Sequence, residues 1–186
     1  MSNAFALLGL PRVAALDPDT LQQAWLAASR RVHPDQTGGS ATEAAAVNAA
    51  RETLQSPEKR LKHLLELHHV PWRAIPVDAA MMDLFSRLGP VLQQISALLK
   101  KRQSAESALA KALLAPEEMR LREQLEELGA EVTAQSETLT ATLPELDTHL
   151  SSGDTSVLEE LQVLQAKLAY LAKWQAQVRE ALLSLL

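Results

Sequence analysis

Three adjacent residues, His33-Pro34-Asp35, carry the most specific chemical arrangement in the chain. They lie in the stretch ASRRVHPDQTGGS, after two arginines and before a glycine-rich run. The proline ring fixes φ at about −65°, so the imidazole and the carboxylate flanking it are presented rigidly, which lowers the entropy cost of docking them on a partner. A helix stop would use the same residue types: proline for the break, Asp for the turn backbone, His as a polar filler. From residue frequencies the triplet arises by chance in only about one chain in a hundred of this length.

Other residues with chemical potential are better explained by structure. His63, His68 and His69 invite a metal, but His63 and His68 do not stack as i, i+4 neighbours, and no Cys or carboxylate cluster completes a site. RLREQLEEL at 120–128 mixes Arg120 and Arg122 with its carboxylates and reads as a solvated face of ion pairs. No G-x-S-x-G or comparable nucleophile setting occurs. LLKKRQ at 98–103 is a solvated helix turn, not a membrane or nucleic-acid contact. Met81, Met82 and Phe85 suit either a core or an adaptable binding patch.

The elements that must position these residues are helical. Leu and Ala dominate and aromatics are few, which favours an all-α chain. Asp17 and Pro18 open a helix running to about Val32, with Leu21, Trp25, Ala28 and Val32 on one face. A second helix runs from about Ala41 to Leu54, burying Ala46 or Val47 with Ala50 and Leu54. Ser56-Pro57 starts a third, from Glu58 to about His68, carrying Leu61, Leu64, Leu65 and Leu67. FALLGL near the start is an apolar knot ended by Gly9 and Pro11.

Pro71 and Pro76 mark a domain boundary near 70–77. Beyond it a long helix is expected over 79–114, kinked or broken at Gly89-Pro90. Pro116 opens another, with Leu121, Leu125, Leu128, Val132, Leu139, Leu146 and Leu150 on one stripe and Pro144 bending or ending it. SSGD at 151–154 interrupts the chain, and the last helix carries Leu161, Leu164, Leu168, Leu171, Trp174, Val178, Leu182 and Leu185. Three such helices pack up-down-up, each stripe buried on the others.

Charge excludes some partners. Residues 1–76 carry eight Lys/Arg against seven Asp/Glu, and residues 77–186 carry ten against sixteen. Neither half has the basic excess of a nucleic-acid binder. No apolar run approaches the roughly 18–20 residues of a membrane span. The N-terminus lacks the marks of a signal or transit peptide, so a cytoplasmic protein is expected. With no cysteine, disulfides, thiolate metal sites and a cysteine nucleophile are all excluded, and no cofactor is expected.

A helical hairpin with His33-Pro34-Asp35 at its tip resembles the J-domain, through which co-chaperones stimulate ATP hydrolysis by DnaK-type chaperones. FALLGLP at 5–11, Leu16-Asp17, and VNAARETLQSPEKRLKHLLELHHV at 47–70 extend the resemblance, including Asn48, the Leu54 to Pro57 turn and the LLELHH ending. A J-domain near 1–72 followed directly by a three-helix antiparallel bundle at 77–186 is most similar to the HscB-type J-proteins of iron–sulfur cluster assembly. The resemblance implies that Asp35 meets an arginine of the chaperone's ATPase domain, with His33 and Pro34 shaping the loop. Arg30 and Arg31 would meet an acidic chaperone surface, with Asn48 part of the same contact. Met81, Met82 and Phe85 would begin the patch for the client, with the iron–sulfur scaffold first to test. Helix 19–32 has no lysine, so steering toward an acidic partner is weak. The alternative is a structural or coiled-coil adaptor with a degenerate J-domain, and the stripes fit a monomer or a dimer.

Overall fold

Capping residues set the first helices. Asn3 accepts from the amide of Ala6 at 3.2 Å and starts α1 (Ala4–Leu8), which Gly9 ends in the left-handed region at φ 69°, a conformation that suits a residue without Cβ. The computed structural model describes residues 3–32 and 40–186. Among the described residues every regular element is an α-helix, as the composition requires.

Asp17 precedes α2 (Pro18–Val32) and accepts from both the hydroxyl and the amide of Thr20 at 2.7 Å. Those two bonds, the hydroxyl's first, hold the Asp17 carboxyl below its usual range. Ser40 caps α3 (Ala41–Gln55) by accepting from the amide of Glu43 at 3.1 Å. Pro57 opens α4 (Pro57–Leu67), where its missing N–H costs nothing. Asp78 caps α5 (Ala79–Ser104) through the amide of Met81. The chain continues as α6 (Ala108–Ala112), α7 (Ala115–Thr140), α8 (Leu143–Ser151) and α9 (Val157–Ser184).

Prolines mark two boundaries, one of which departs from the sequence pattern. α5 runs unbroken through Gly89-Pro90 but ends at Ser104, short of the expected 114, and α6 follows as a separate short helix. Pro90 is solvent-exposed, while Leu84, Leu88, Val91 and Ile95 are buried on either side of it. Packing of that stripe outweighs the one backbone bond proline removes. The stripe to Leu150 is divided where Pro144 was expected to bend or end it: α7 ends at Thr140, and Pro144 sits in the first turn of the separate α8.

The chain forms two compact units. One combines the stretch up to Ile75 with Leu139–Ala169; the other combines Pro76–Thr138 with Tyr170–Leu186. The first changeover falls in the proline-flanked linker, yet the N-terminal unit also takes in α8 and the start of α9, beyond the expected division into 1–72 and 77–186. The reason is apolar burial. Phe5, Leu8, Leu21, Ala28, Val47, Leu54, Leu61 and Leu64 share one core with Leu143, Leu146, Val157, Leu161, Leu164 and Leu168. Within this unit α3 packs against α1, α2 and α4.

In the second unit cross-helix pairs give the directions. Lys101 and Arg102 meet Glu117 and Glu118, while Arg87 meets Glu131, so α5 and α7 are antiparallel. Arg122 donates to the Leu185 carbonyl at 2.7 Å, and Gly129 lies against Val178, so α7 and α9 are also antiparallel. Phe85 stacks on Trp174 at 6.0 Å, joining α5 to α9. The up-down-up arrangement is thus set by paired side chains as well as by the buried leucines.

Candidate functional site

The residues expected to dock on a chaperone flank the α2–α3 connection. Arg30 and Arg31 occupy the last turn of α2 and are exposed, where positive charge complements the helix dipole. His33, Pro34 and Asp35 lie outside the described residues. Asn48, on α3, is exposed, and its Oδ1 accepts from the indole Nε1–H of Trp25 on α2 at 3.0 Å. The guanidinium of Arg51, one turn along α3, stands 4.0 Å from the Trp25 ring centroid, within cation–π range. Trp25 and Val32 pack half-buried against the core that Leu21 and Ala28 complete. Of the two inward sets considered for α3, the buried one is Val47, Ala50 and Leu54.

Beneath this hairpin lies a buried polar node that the sequence did not disclose. Arg60 on α4 is 6% exposed; it donates to the Ala14 carbonyl at 2.7 Å and the Leu54 carbonyl at 2.6 Å. Asp147 on α8 accepts from the amides of Ala14 and Ala15 at 2.6 and 2.7 Å. The turn before α2 is therefore gripped by a cation through its carbonyl and by an anion through its amides. Burial lowers the Arg60 guanidinium from its usual value, opposed by the charges of Asp147 and Glu58. Among the described residues no buried side-chain nitrogen or oxygen lacks a hydrogen-bond partner.

The histidine group proves structural in its buried member. His63 is 7% exposed, its Nε2 accepts from the Ala4 amide at 3.0 Å, and its ring stacks on Phe5 at 5.8 Å. His68 and His69 are exposed at the end of α4, His69 at φ 58°. Among the described residues no three His, Asp or Glu side chains are grouped to hold a metal, and no described helix is long and apolar enough to cross a membrane.

The expected client patch separates into two layers. Met81 is 3% exposed and belongs to the core, whereas Met82 and Phe85 are each 52% exposed. Phe85 lies on Trp174, and Tyr170 tilts against the same indole at 6.2 Å. Tyr170, which is exposed, and Trp174, which is buried, stand one turn apart on α9, so the indole lies beneath and joins two exposed rings, Phe85 and Tyr170. Spacing on α9 makes them neighbours on one face, but their meeting with Phe85 is a tertiary fact. Below Phe85, Arg87 bonds Asp83 and, through both amino groups, Glu131. This pairing, its hydrogen bonds first, lowers the Glu131 carboxyl and raises the Arg87 guanidinium.

No family model matches the sequence. A stretch of 74 residues is 40% identical to the co-chaperone protein HscB homolog of Chromobacterium violaceum, covering 36% of this chain and 42% of that one. The corresponding protein of Bordetella pertussis is 44% identical over 70 residues, covering 33% and 41%. The chain is similar to the HscB co-chaperones. In both cases the match spans about two fifths of the relative's length. The likeness in fold extends further: the chaperone HscB from Vibrio cholerae superposes over the whole of both chains with a TM-score of 0.62 at 24% identity. The human co-chaperone protein HscB gives 0.56 at 22% identity, over 97% of this chain and 82% of that one. At these identities the HscB structures speak to the fold alone, and they agree with the all-α architecture.

Proposed function

We propose that the chain is a J-protein co-chaperone in iron–sulfur cluster assembly. In this reading residues 1–72 act as the J-domain and stimulate ATP hydrolysis by a DnaK-type chaperone. Residues 77–186 bring the client, and the iron–sulfur scaffold is the first client to test. The observation that carries the reading is sequence likeness to HscB co-chaperones in a chain that keeps His33-Pro34-Asp35 between α2 and α3. Asp35 supplies the carboxylate for an arginine of the ATPase domain. His33 and Pro34 shape its presentation, and Arg30, Arg31 and Asn48 flank it. Two arginines without a lysine give weak electrostatic steering, so association depends only shallowly on ionic strength. Met82 and Phe85 form the accessible part of the client surface, with Met81 behind them. The protein works in the cytoplasm and supplies no catalytic group, metal or cofactor of its own.

Single-turnover ATP hydrolysis by the DnaK-type chaperones of the same organism tests the reading. Stimulation by the wild-type chain and its loss in Asp35→Asn is the expected result. Absence of stimulation by the wild type with every chaperone paralogue would overturn it and leave a helical adaptor.

A further inference from the structure

Trp25 and Asn48 each stand about two turns from the helix ends that border residues 33–39. An indole N–H is a donor only, and here it is satisfied by a side chain of the opposite helix at 3.0 Å. The face of the same ring is taken by Arg51 at 4.0 Å. Asn48 and Arg51 are i, i+3 neighbours on one face of α3, so α3 holds the ring at its edge and its face together. Leu21, Ala28, Val47 and Ala50 already supply the apolar contact between the helices. The polar pair adds direction, because a hydrogen bond weakens steeply off its angle whereas apolar contact does not. Phenylalanine would keep an apolar ring there, smaller than the indole and without the bond.

We propose that Trp25, Asn48 and Arg51 are positioning residues that fix the register of α2 against α3 and so the presentation of the intervening residues to the chaperone. The inference rests on the co-chaperone reading and sharpens it: Asn48 acts through Trp25. If the brace holds the hairpin in its docking-competent arrangement, loosening it reduces the competent fraction. The apparent affinity falls by that fraction while the bound complex is unchanged.

The test is a titration of chaperone ATPase stimulation with Trp25→Phe, Asn48→Leu, the double variant and Asn48→Asp. The half-saturating concentration is expected to rise about two- to ten-fold in each single variant, with the plateau retained. The double variant should be no worse than either single one, because both remove the same bond. Asn48→Asp, which keeps an acceptor, should recover most of what Asn48→Leu loses. Circular dichroism at the assay temperature establishes that every variant is folded. An unchanged half-saturation in Trp25→Phe, or additive losses in the double variant, would overturn the proposal. Should the wild type stimulate no chaperone, the co-chaperone reading fails by itself, and hydrogen exchange then decides on the brace. Faster exchange at the amides of residues 29–32 and 41–44 in folded Trp25→Phe supports it; identical exchange overturns it.

Discussion

In the unit containing Phe5 and Leu64, a buried guanidinium and the Asp147 carboxylate grip a single turn of backbone. In the unit containing Leu88 and Leu125, the charged side chains meet on the outside. Arg60 has exchanged water for the Ala14 and Leu54 carbonyls, and the half-buried Asp147 holds the Ala14 and Ala15 amides, whereas Arg87, Asp83 and Glu131 remain solvated while paired. The contrast teaches where uniqueness comes from. Short helices joined by irregular turns have many ways to collapse, and a buried polar node with one satisfying geometry selects among them. Long helices with leucine stripes select their packing by continuity of the stripe, so their charges can stay at the surface, where pairs contribute little.

Substitutions that sharpen this contrast differ in expected size. The largest effect belongs to Arg60→Leu, which leaves the Ala14 and Leu54 carbonyls buried without donors. A loss of about 3 kcal/mol in urea unfolding is expected. A loss below about 1 kcal/mol would mean that the turn is held by its apolar neighbours instead. Asp147→Asn comes next, at about 2 kcal/mol: one amide retains an oxygen acceptor, but the other meets a donor.

Gly129→Ala probes the second unit's packing. A Cβ there would meet Val178 Cγ1 at 2.9 Å, and a β-branched side chain has few ways to yield. Crowding outweighs the helix propensity alanine adds, and a net loss of about 1 kcal/mol is expected. Val178→Ala in the same chain should relieve that crowding in a double-mutant cycle. The smallest effect is Glu131→Gln, whose change in thermal midpoint should shrink further in high salt. The sign with pH is fixed. Arg87 holds the Glu131 carboxyl below its ordinary 4.5, so the pair's contribution is present above that value. It fades as pH falls through the lower folded-state value. A mid-point in Glu131→Gln that tracks the wild type across this range would show that the pair contributes nothing measurable.

Apolar spacing made the helices legible, because stripes such as Leu121, Leu125, Leu128 and Val132 report a buried face whatever covers it. Caps at Asp17, Ser56 and Pro57 made the starts legible too. Continuity of α5 through Pro90 was not, since the decision lay with tertiary burial on both sides of the proline. Nor was the Ala14, Arg60 and Asp147 node, whose members lie far apart in the chain. One local sign of it existed. Arg60 stands near the N-terminal end of α4, where a cation opposes the helix dipole and therefore needs another reason to be there. Of the face proposed to bind a chaperone, the sequence supplied the triplet and its arginines. It offered Asn48 only through resemblance and passed over Trp25 and Arg51, because a hydrogen bond between two helices has no period.

The sharing of α9 between both units has a consequence for inheritance. Its first turns carry Leu161, Leu164 and Leu168 into the core around Phe5 and Leu64, while Trp174 and Val178 serve the other unit. Recombination at the proline-flanked linker would give a new amino-terminal segment a set of leucines shaped for another partner, and would leave the donated segment without a third of its own buried core. The two regions are thus poor candidates for shuffling, and lineages in which they change should show them changing together.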